Sequence, residues 1–247
     1  AGRSLIVYAE SFFTNQRDEV VAKGIGWSIR VERKAAADKG KYSGVKYYKY
    51  TPEELRKIRE DIDKEEVRGK APRYWEEVQI GEELTPVVKG PLNLSDMMAW
   101  EAAALGKNGN EAHGFRIKHF RSHPSWSYRD PKTGAREAIT QVHEQDGTAG
   151  GIAVPAAYDL GSQRNSWVMQ AVTNWVGDDG WLKALYCEYR RFNIYGDTQW
   201  VKGKVVDKSV KDDEHLVSID VWTENQRGEV TAPGKAVAVL PSRRAKS

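Results

Sequence analysis

The spacing of hydrophobic positions changes several times along the chain, and each change marks an element. Residues 5–13, LIVYAESFF, are rich in β-branched and aromatic types and predict a strand. Asn15-Gln16-Arg17-Asp18 predicts a turn, and residues 19–32 a return strand loosened by Gly24 and Gly26. Residues 34–50 are polar, rich in Lys and Tyr, and read as a loop. Thr51-Pro52-Glu53-Glu54 then opens a helix: Thr51 can cap, Pro52 suits the first turn and Glu54 completes a capping box. That helix runs to about Val67, and its high charge predicts a solvated linker.

A new unit begins near Ala71. Residues 74–84 and 85–91 read as short extended pieces around Gly81 and Gly90, and Ser95 caps a helix that runs through Leu105 and stops at Gly106. Residues 107–135, with His113, His119, His123, Pro124 and Pro131, form a long irregular insertion, and loops of that length are commonly functional. Residues 161–176 predict a strong helix, because Trp167, Val168, Ala171, Val172, Trp175 and Val176 recur on one face until Gly177 ends it. Four strands follow, near 183–194, 198–208, 215–224 and 229–240. One apolar helix followed by a run of antiparallel strands is an α+β pattern in which the sheet curls around the helix, the hotdog fold.

The turn at Asn15 recurs. Residues 15–24, NQRDEVVAKG, and 225–234, NQRGEVTAPG, share seven of ten residues at one constant separation, and Val7, Glu10 and Phe12 match Val217, Asp220 and Trp222 in character. Gly228 readily takes the left-handed conformation of a tight hairpin, and Asp18 is among the few other residues that tolerate it. The reading is a duplication in which residues 1–33 are the last hairpin of a first, truncated hotdog, 34–70 a linker with a charged helix, and 71–247 a complete second hotdog carrying the insertion. An isolated hairpin is marginal in water and its edge invites aggregation, so a second chain or an upstream segment is expected to complete it. The chain opens on Ala1-Gly2-Arg3-Ser4 without a methionine, which leaves room for a removed upstream segment.

Composition narrows the function classes. Hydrophobic residues make up 40% of the 247, enough for a buried core. With 38 basic against 35 acidic residues the net charge is only +3, too weak to argue for nucleic acid, which is not an expected partner. The single cysteine, Cys187, excludes an internal disulfide and a Cys-based zinc cluster, and points to a reducing cytoplasm. No apolar run reaches the roughly 20 residues that cross a bilayer, so no membrane partner is expected. His113, His119 and His123 are not read as a metal site.

Several segments resemble one family. His143-Glu144-Gln145-Asp146-Gly147-Thr148-Ala149 resembles the H-x-D-x-x-x-A segment of MaoC-like acyl-CoA hydratases and dehydratases. Tyr158 to Arg164 resembles the approach to the hotdog helix, Arg190 to Thr198 the R-F-x-x-P-x-x-G-D-T strand pair, and Asn225 to Glu229 with Leu240-Pro241-Ser242-Arg243 the closing strands. Asn-Trp-Val-Gly-Asp-Asp-Gly at 174–180 is similar to the double-hotdog members. The resemblance implies reversible hydration of a 2-enoyl-CoA, coenzyme A being part of the substrate and no separate cofactor or metal being needed. It implies that a His and an Asp activate one water, and that backbone N–H groups at the helix start polarise the thioester oxygen. Carried onto this sequence, His143 is the acid–base residue, with Tyr158, Gly161, Ser162, Gln163, Arg164 and Trp167 as substrate-binding residues.

The sequence departs from the family at one position. The hydratase pattern D-x-N-P-x-H places an Asp five residues before the His, and here that residue is Ala138. Glu137, one residue further back, could substitute, as could Asp130 or His123 from the insertion; Asp146 is a further candidate carboxylate, or a cap. Arg164 at a helix start opposes the helix dipole, which suggests a bound anion such as a CoA phosphate, or a carboxylate such as Asp178. Three functions compete: a hydro-lyase on acyl-CoA thioesters, a non-catalytic half that shapes the acyl pocket within a homo- or hetero-oligomer, and a thioesterase. The last would need a carboxylate on or near the helix, and residues 162–176 contain none.

Overall fold

The computed structural model describes residues 4–31, 46–105, 113–130, 132–146 and 156–244. The chain forms β1 (Ser4–Thr14), β2 (Val20–Val31), α1 (Pro52–Ile62), β3 (Val87–Lys89), α2 (Leu94–Trp100), α3 (His113–Ser122), β4 (Ser127–Arg129) and β5 (Arg136–Ala138). It continues with α4 (Gly161–Val176), β6 (Trp181–Cys187), β7 (Gln199–Lys211), β8 (Glu214–Asn225) and β9 (Val230–Val239). One sheet, in the order β3-β7-β8-β9-β6, is antiparallel throughout; β1–β2 and β4–β5 are separate two-stranded ribbons.

The apolar face of α4 settles into the curl of the five-stranded sheet. Val168, Ala171, Val172 and Val176 are 0–2% exposed and pack with Val201, Val205, Val217, Ile219, Val221 and Ala236. The alternation along β8 is that of a sheet with one wet face: Val217, Ile219, Val221 and Thr223 point inward, Ser218, Asp220 and Trp222 outward. Each fully buried Val or Ile contributes roughly 1.5–3 kcal/mol of transfer free energy. Small residues let the layers close up. A Cβ added at Gly234 would lie 2.4 Å from the Tyr186 carbonyl on β6, and one at Gly203 2.9 Å from Leu84. A curled antiparallel sheet around one central helix is the hotdog fold. Among the described residues no helix is long and apolar enough to cross a membrane.

Five expectations need correction, the first being the strand expected near 183–194, which runs only over Trp181–Cys187. The charged helix α1 is not a solvated linker: Ile58 is 3% exposed, and Asp61 accepts from Trp200 Nε1 on β7 at 3.1 Å, so one face docks on the sheet. It also ends at Ile62, five residues short of Val67. The helix after β3 starts earlier, because Asn93 and Asp96 form the capping box, and it passes into a single π-helical stretch, Glu101–Leu105. The insertion is structured, with α3 and the β4–β5 ribbon tied by Arg116 Nη1 to Glu137 at 2.6 Å. The expected stop at Gly106, the first part of the insertion and most of the 34–50 loop lie outside the described residues.

The two similar hairpins are the same in structure. Glu10 faces Ile25 as Asp220 faces Lys235, Ser11 faces Gly24 as Val221 faces Gly234, and the register slips at Phe13/Thr14 as at Thr223/Glu224. In both turns the Asn side chain accepts from the backbone of the second and fourth residues on, at 2.9 and 3.1 Å for Asn15 and 2.9 and 3.0 Å for Asn225. The fourth residue of each turn is left-handed, Asp18 at φ 59° and Gly228 at φ 73°.

Candidate functional site

The candidate residues gather where the chain enters α4. His143 closes a 3-10 turn, Ile139–His143, and its Nδ1 lies 2.8 Å from the Tyr158 carbonyl. A carbonyl can only accept, so Nδ1 carries the proton and Nε2 is the basic nitrogen. The Tyr158 ring stands edge-on to His143 at 4.5 Å and to Phe192 at 4.7 Å, and the Tyr158 backbone bridges Ile194. Burial, then the nearby Asp159 carboxylate, raise the Tyr158 phenol above its ordinary value.

Helix α4 begins without a side-chain cap: its N-cap is Leu160. The N–H groups of Gly161, Ser162 and Gln163 therefore face away from the helix without an intrahelical acceptor, and the dipole adds partial positive charge there. Gly161 lies close under Tyr189: a Cβ there would sit 2.9 Å from the ring, which would have to shift. Burial pushes the Tyr189 phenol up to about 12. Ser162 is exposed, whereas Gln163 is 2% exposed; its Nε2 reaches the Asp96 carbonyl at 3.4 Å and its buried Oε1 has no hydrogen-bond partner. Gln163 Oε1 is thus a buried acceptor left open among the described residues.

Arg164 is not poised for an external anion. It is 2% exposed, Nε and Nη2 both hold Asp159 (Nε at 2.8 Å), and Nη1 donates to the Arg191 carbonyl at 2.8 Å. Burial alone would lower the guanidinium pKa; the Asp159 carboxylate more than offsets this and raises it. The partner is Asp159, not the suggested Asp178, and the pair clamps the turn into α4 against the 190–194 segment. Trp167 is 9% exposed and belongs to the core around α4. Trp175 does too, its Nε1 on Glu82 at 3.1 Å.

The carboxylates proposed to assist His143 are turned to other groups. Glu137 on β5 accepts from Arg116 at 2.6 Å and from Gln141 at 3.0 Å. Asp146 accepts from the Ala157 N–H at 2.9 Å and from the Tyr47 hydroxyl. Asp130 accepts from the backbone of Lys132 and Thr133 within its own turn. His123 stacks on His119 at 4.7 Å beside Trp126. Ala138, at the position where the resemblance expects an Asp, is 3% exposed.

A cleft of about 540 Å³ opens beside the segment after His143, lined in part by Tyr47, Leu94, Lys132, Gln145, Asp146 and Tyr195. Tyr47 was not foreseen. It comes from the strand of chain before α1, which is strapped on by Arg227 to the Lys46 carbonyl and by Tyr50 to Thr198. Burial and then Asp146 raise its phenol pKa. Asp159 was also missed, although an acidic residue five before the unfavourably placed Arg164 was a readable signal.

Comparison with known proteins agrees with this architecture. No protein-family model matches the chain, and no curated protein matches it. Among solved structures, the (R)-hydratase PhaJ1 from Pseudomonas aeruginosa superposes with a TM-score of 0.50 at 15% identity, covering 69% of this chain and 86% of that one. A MaoC-like dehydratase superposes with a TM-score of 0.58 at 15% identity, covering 98% of this chain and 67% of that one. At such identities the likeness establishes the fold that these proteins share with this chain.

Proposed function

We propose that the chain is part of a hydro-lyase that adds water across the double bond of a trans-2-enoyl-CoA and, in reverse, dehydrates the 3-hydroxyacyl thioester, with neither metal nor nucleotide. The observation that carries the reading is the tie between His143 and the Tyr158 carbonyl at 2.8 Å, which orients the imidazole on the segment leading into an uncapped, buried helix. In this mechanism Nε2 of His143 takes a proton from water as the water oxygen bonds to the β-carbon. The π electrons move onto the thioester oxygen, where the N–H groups at 161–163 stabilise the enolate. The imidazolium then returns the proton to the α-carbon. Tyr158 orients the ring, and Gln163 Oε1 accepts a donor of the substrate. Asp159 and Arg164 act as positioning residues for the helix start.

A second reading is that this half holds the acyl group while a partner's acid–base pair does the chemistry. It is favoured by the engagement of Glu137 with Arg116 and Gln141, which draws the nearest substitute for the missing Asp towards the insertion. The assay is loss of enoyl absorbance over a panel of chain lengths and ring-bearing acyl groups, with the complete assembly. His143→Ala is expected to cost roughly 10²–10⁴ in kcat if the chemistry is here. A change confined to KM or stability places it in the partner. Thioester hydrolysis without hydration would refute both readings in favour of a thioesterase.

A further inference from the structure

The face of β1 formed by Leu5, Val7, Ala9, Ser11 and Phe13 lies open to solvent, and the same molecule contains the answer to what such a face fits. At identical register, Val7 stands for Val217, Ala9 for Ile219, Ser11 for Val221 and Phe13 for Thr223. Those four residues of β8 are 0–2% exposed, and the first three pack in the core around α4. On the neighbouring strand, Gly24 stands for Gly234. Gly234 has no room for a Cβ because β6 runs alongside, its Tyr186 carbonyl 2.4 Å from where that atom would be. At Gly24 the nearest atom to such a Cβ is 3.6 Å away, and it belongs to the hairpin itself. Gly24 thus keeps the small residue that a flanking strand demands while nothing among the described residues demands it.

We infer that this face of β1–β2 is a docking surface for an incomplete hotdog layer carried outside residues 1–247: an apolar helix over Val7, Ala9 and Phe13, and a strand along β2 at Gly24. A second copy of this chain cannot supply that helix, because Val168, Ala171 and Val172 of α4 are already 0–1% exposed under their own sheet. The opposite face of the hairpin, with Ile6, Tyr8, Trp27 and Ile29, is also apolar and exposed. The inference rests on the hairpin comparison and is independent of the hydro-lyase reading.

Two measurements test it, neither of them an activity. In the purified monomeric chain, amide hydrogen exchange of β1–β2 is expected to be far faster than that of β8–β9; equal protection in a verified monomer means the face is covered from within, and overturns the inference. Second, residues 4–29 and 214–239 are exchanged within the full chain. The exchanged chain is expected to keep one cooperative thermal transition and slow exchange in α4, because the first hairpin now closes over it. A control placing residues 5–30 at 214–239 turns Tyr8, Glu10 and Phe12 inward and is expected to lose both. If the in-register exchange protects α4 no better than the control, the face does not fit a hotdog helix and the inference fails.

Discussion

The hairpins β1–β2 and β8–β9 share register, bulge position and turn hydrogen bonding, but their surroundings differ completely. Val221 is 2% exposed beneath α4, while every residue of β1, including its counterpart Ser11, is exposed. The hairpin geometry is therefore a property of the local sequence, set by the Asn side chain, the left-handed fourth residue and the strand pattern. Burial belongs to the neighbours. The consequence is that equivalent substitutions at twin positions should have unequal effects, and the size of that inequality measures how far each hairpin is covered.

The largest difference is expected for a charge on the inward face. Val221→Asp buries a carboxylate with no partner and is expected to cost about 4–5 kcal/mol or more, enough to abolish the native transition, whereas Ser11→Asp in the chain alone should stay within about 0.5 kcal/mol. Urea titration followed by tryptophan fluorescence reads both; a comparable loss from Ser11→Asp would mean that β1 is already packed in solution.

Next comes the glycine pair. Gly234→Ala drives a methyl group into the β6 backbone and is expected to cost about 1–3 kcal/mol. Gly24→Ala meets only ordinary contacts and should be neutral or stabilising by up to about 1 kcal/mol. Thermal unfolding of both variants sharpens the comparison, and a penalty at Gly24 equal to that at Gly234 would break it.

The turns should differ less. Gly228→Ala forces a Cβ into the left-handed region at φ 73°, for about 1–2 kcal/mol. Asp18→Gly relaxes the same geometry at φ 59° and should leave the main unfolding transition in place. Differential scanning calorimetry separates the two, because only the second hairpin belongs to the cooperative core.

The smallest effect concerns pH. The Ser242 hydroxyl, then the surrounding backbone, hold the Glu76 carboxyl at about 2, tethering the chain just beyond β9 to the 3-10 turn that begins at Trp75. A depressed carboxyl contributes stability fully present above its unfolded value, near about 4.3, and lost as pH falls through the folded value. Exchange of the last β9 amides should rise over that window, and Glu76→Gln should flatten the dependence. β1–β2 has no tether of this kind to a segment outside the hairpin among the described residues; its own depressed carboxyl, Glu10, is held by Tyr8 and then Lys23, so any step there should be unaffected by Glu76→Gln.

Much of the architecture was legible in the sequence. The 3.6-residue stripe from Trp167 to Val176 and the ending at Gly177 gave α4 its observed bounds, because a buried helix must carry its apolar residues at that period. The capping box at Thr51–Glu54 formed as expected, since it requires only neighbours in sequence. Helix α1 misled because charge on three sides conceals a narrow docking face: Ile58 and Asp61 are enough to attach it. The insertion misled for the opposite reason. Its elements are held by a long-range contact, Arg116 to Glu137, that no local pattern announces.

The candidate site divides along the same line. The sequence by itself determined the residue types at the approach to α4, the turn chemistry of both hairpins and the periodicity that closes one sheet around one helix, because these depend on steric and hydrogen-bonding preferences within a few residues. Only the tertiary structure decided that Arg164 is spent on Asp159, that Glu137 and Asp146 turn to Arg116 and Tyr47, and that His143 is oriented by a carbonyl 15 residues away. Charges find partners through space, and a buried carboxylate goes to whichever donor the packing brings within reach.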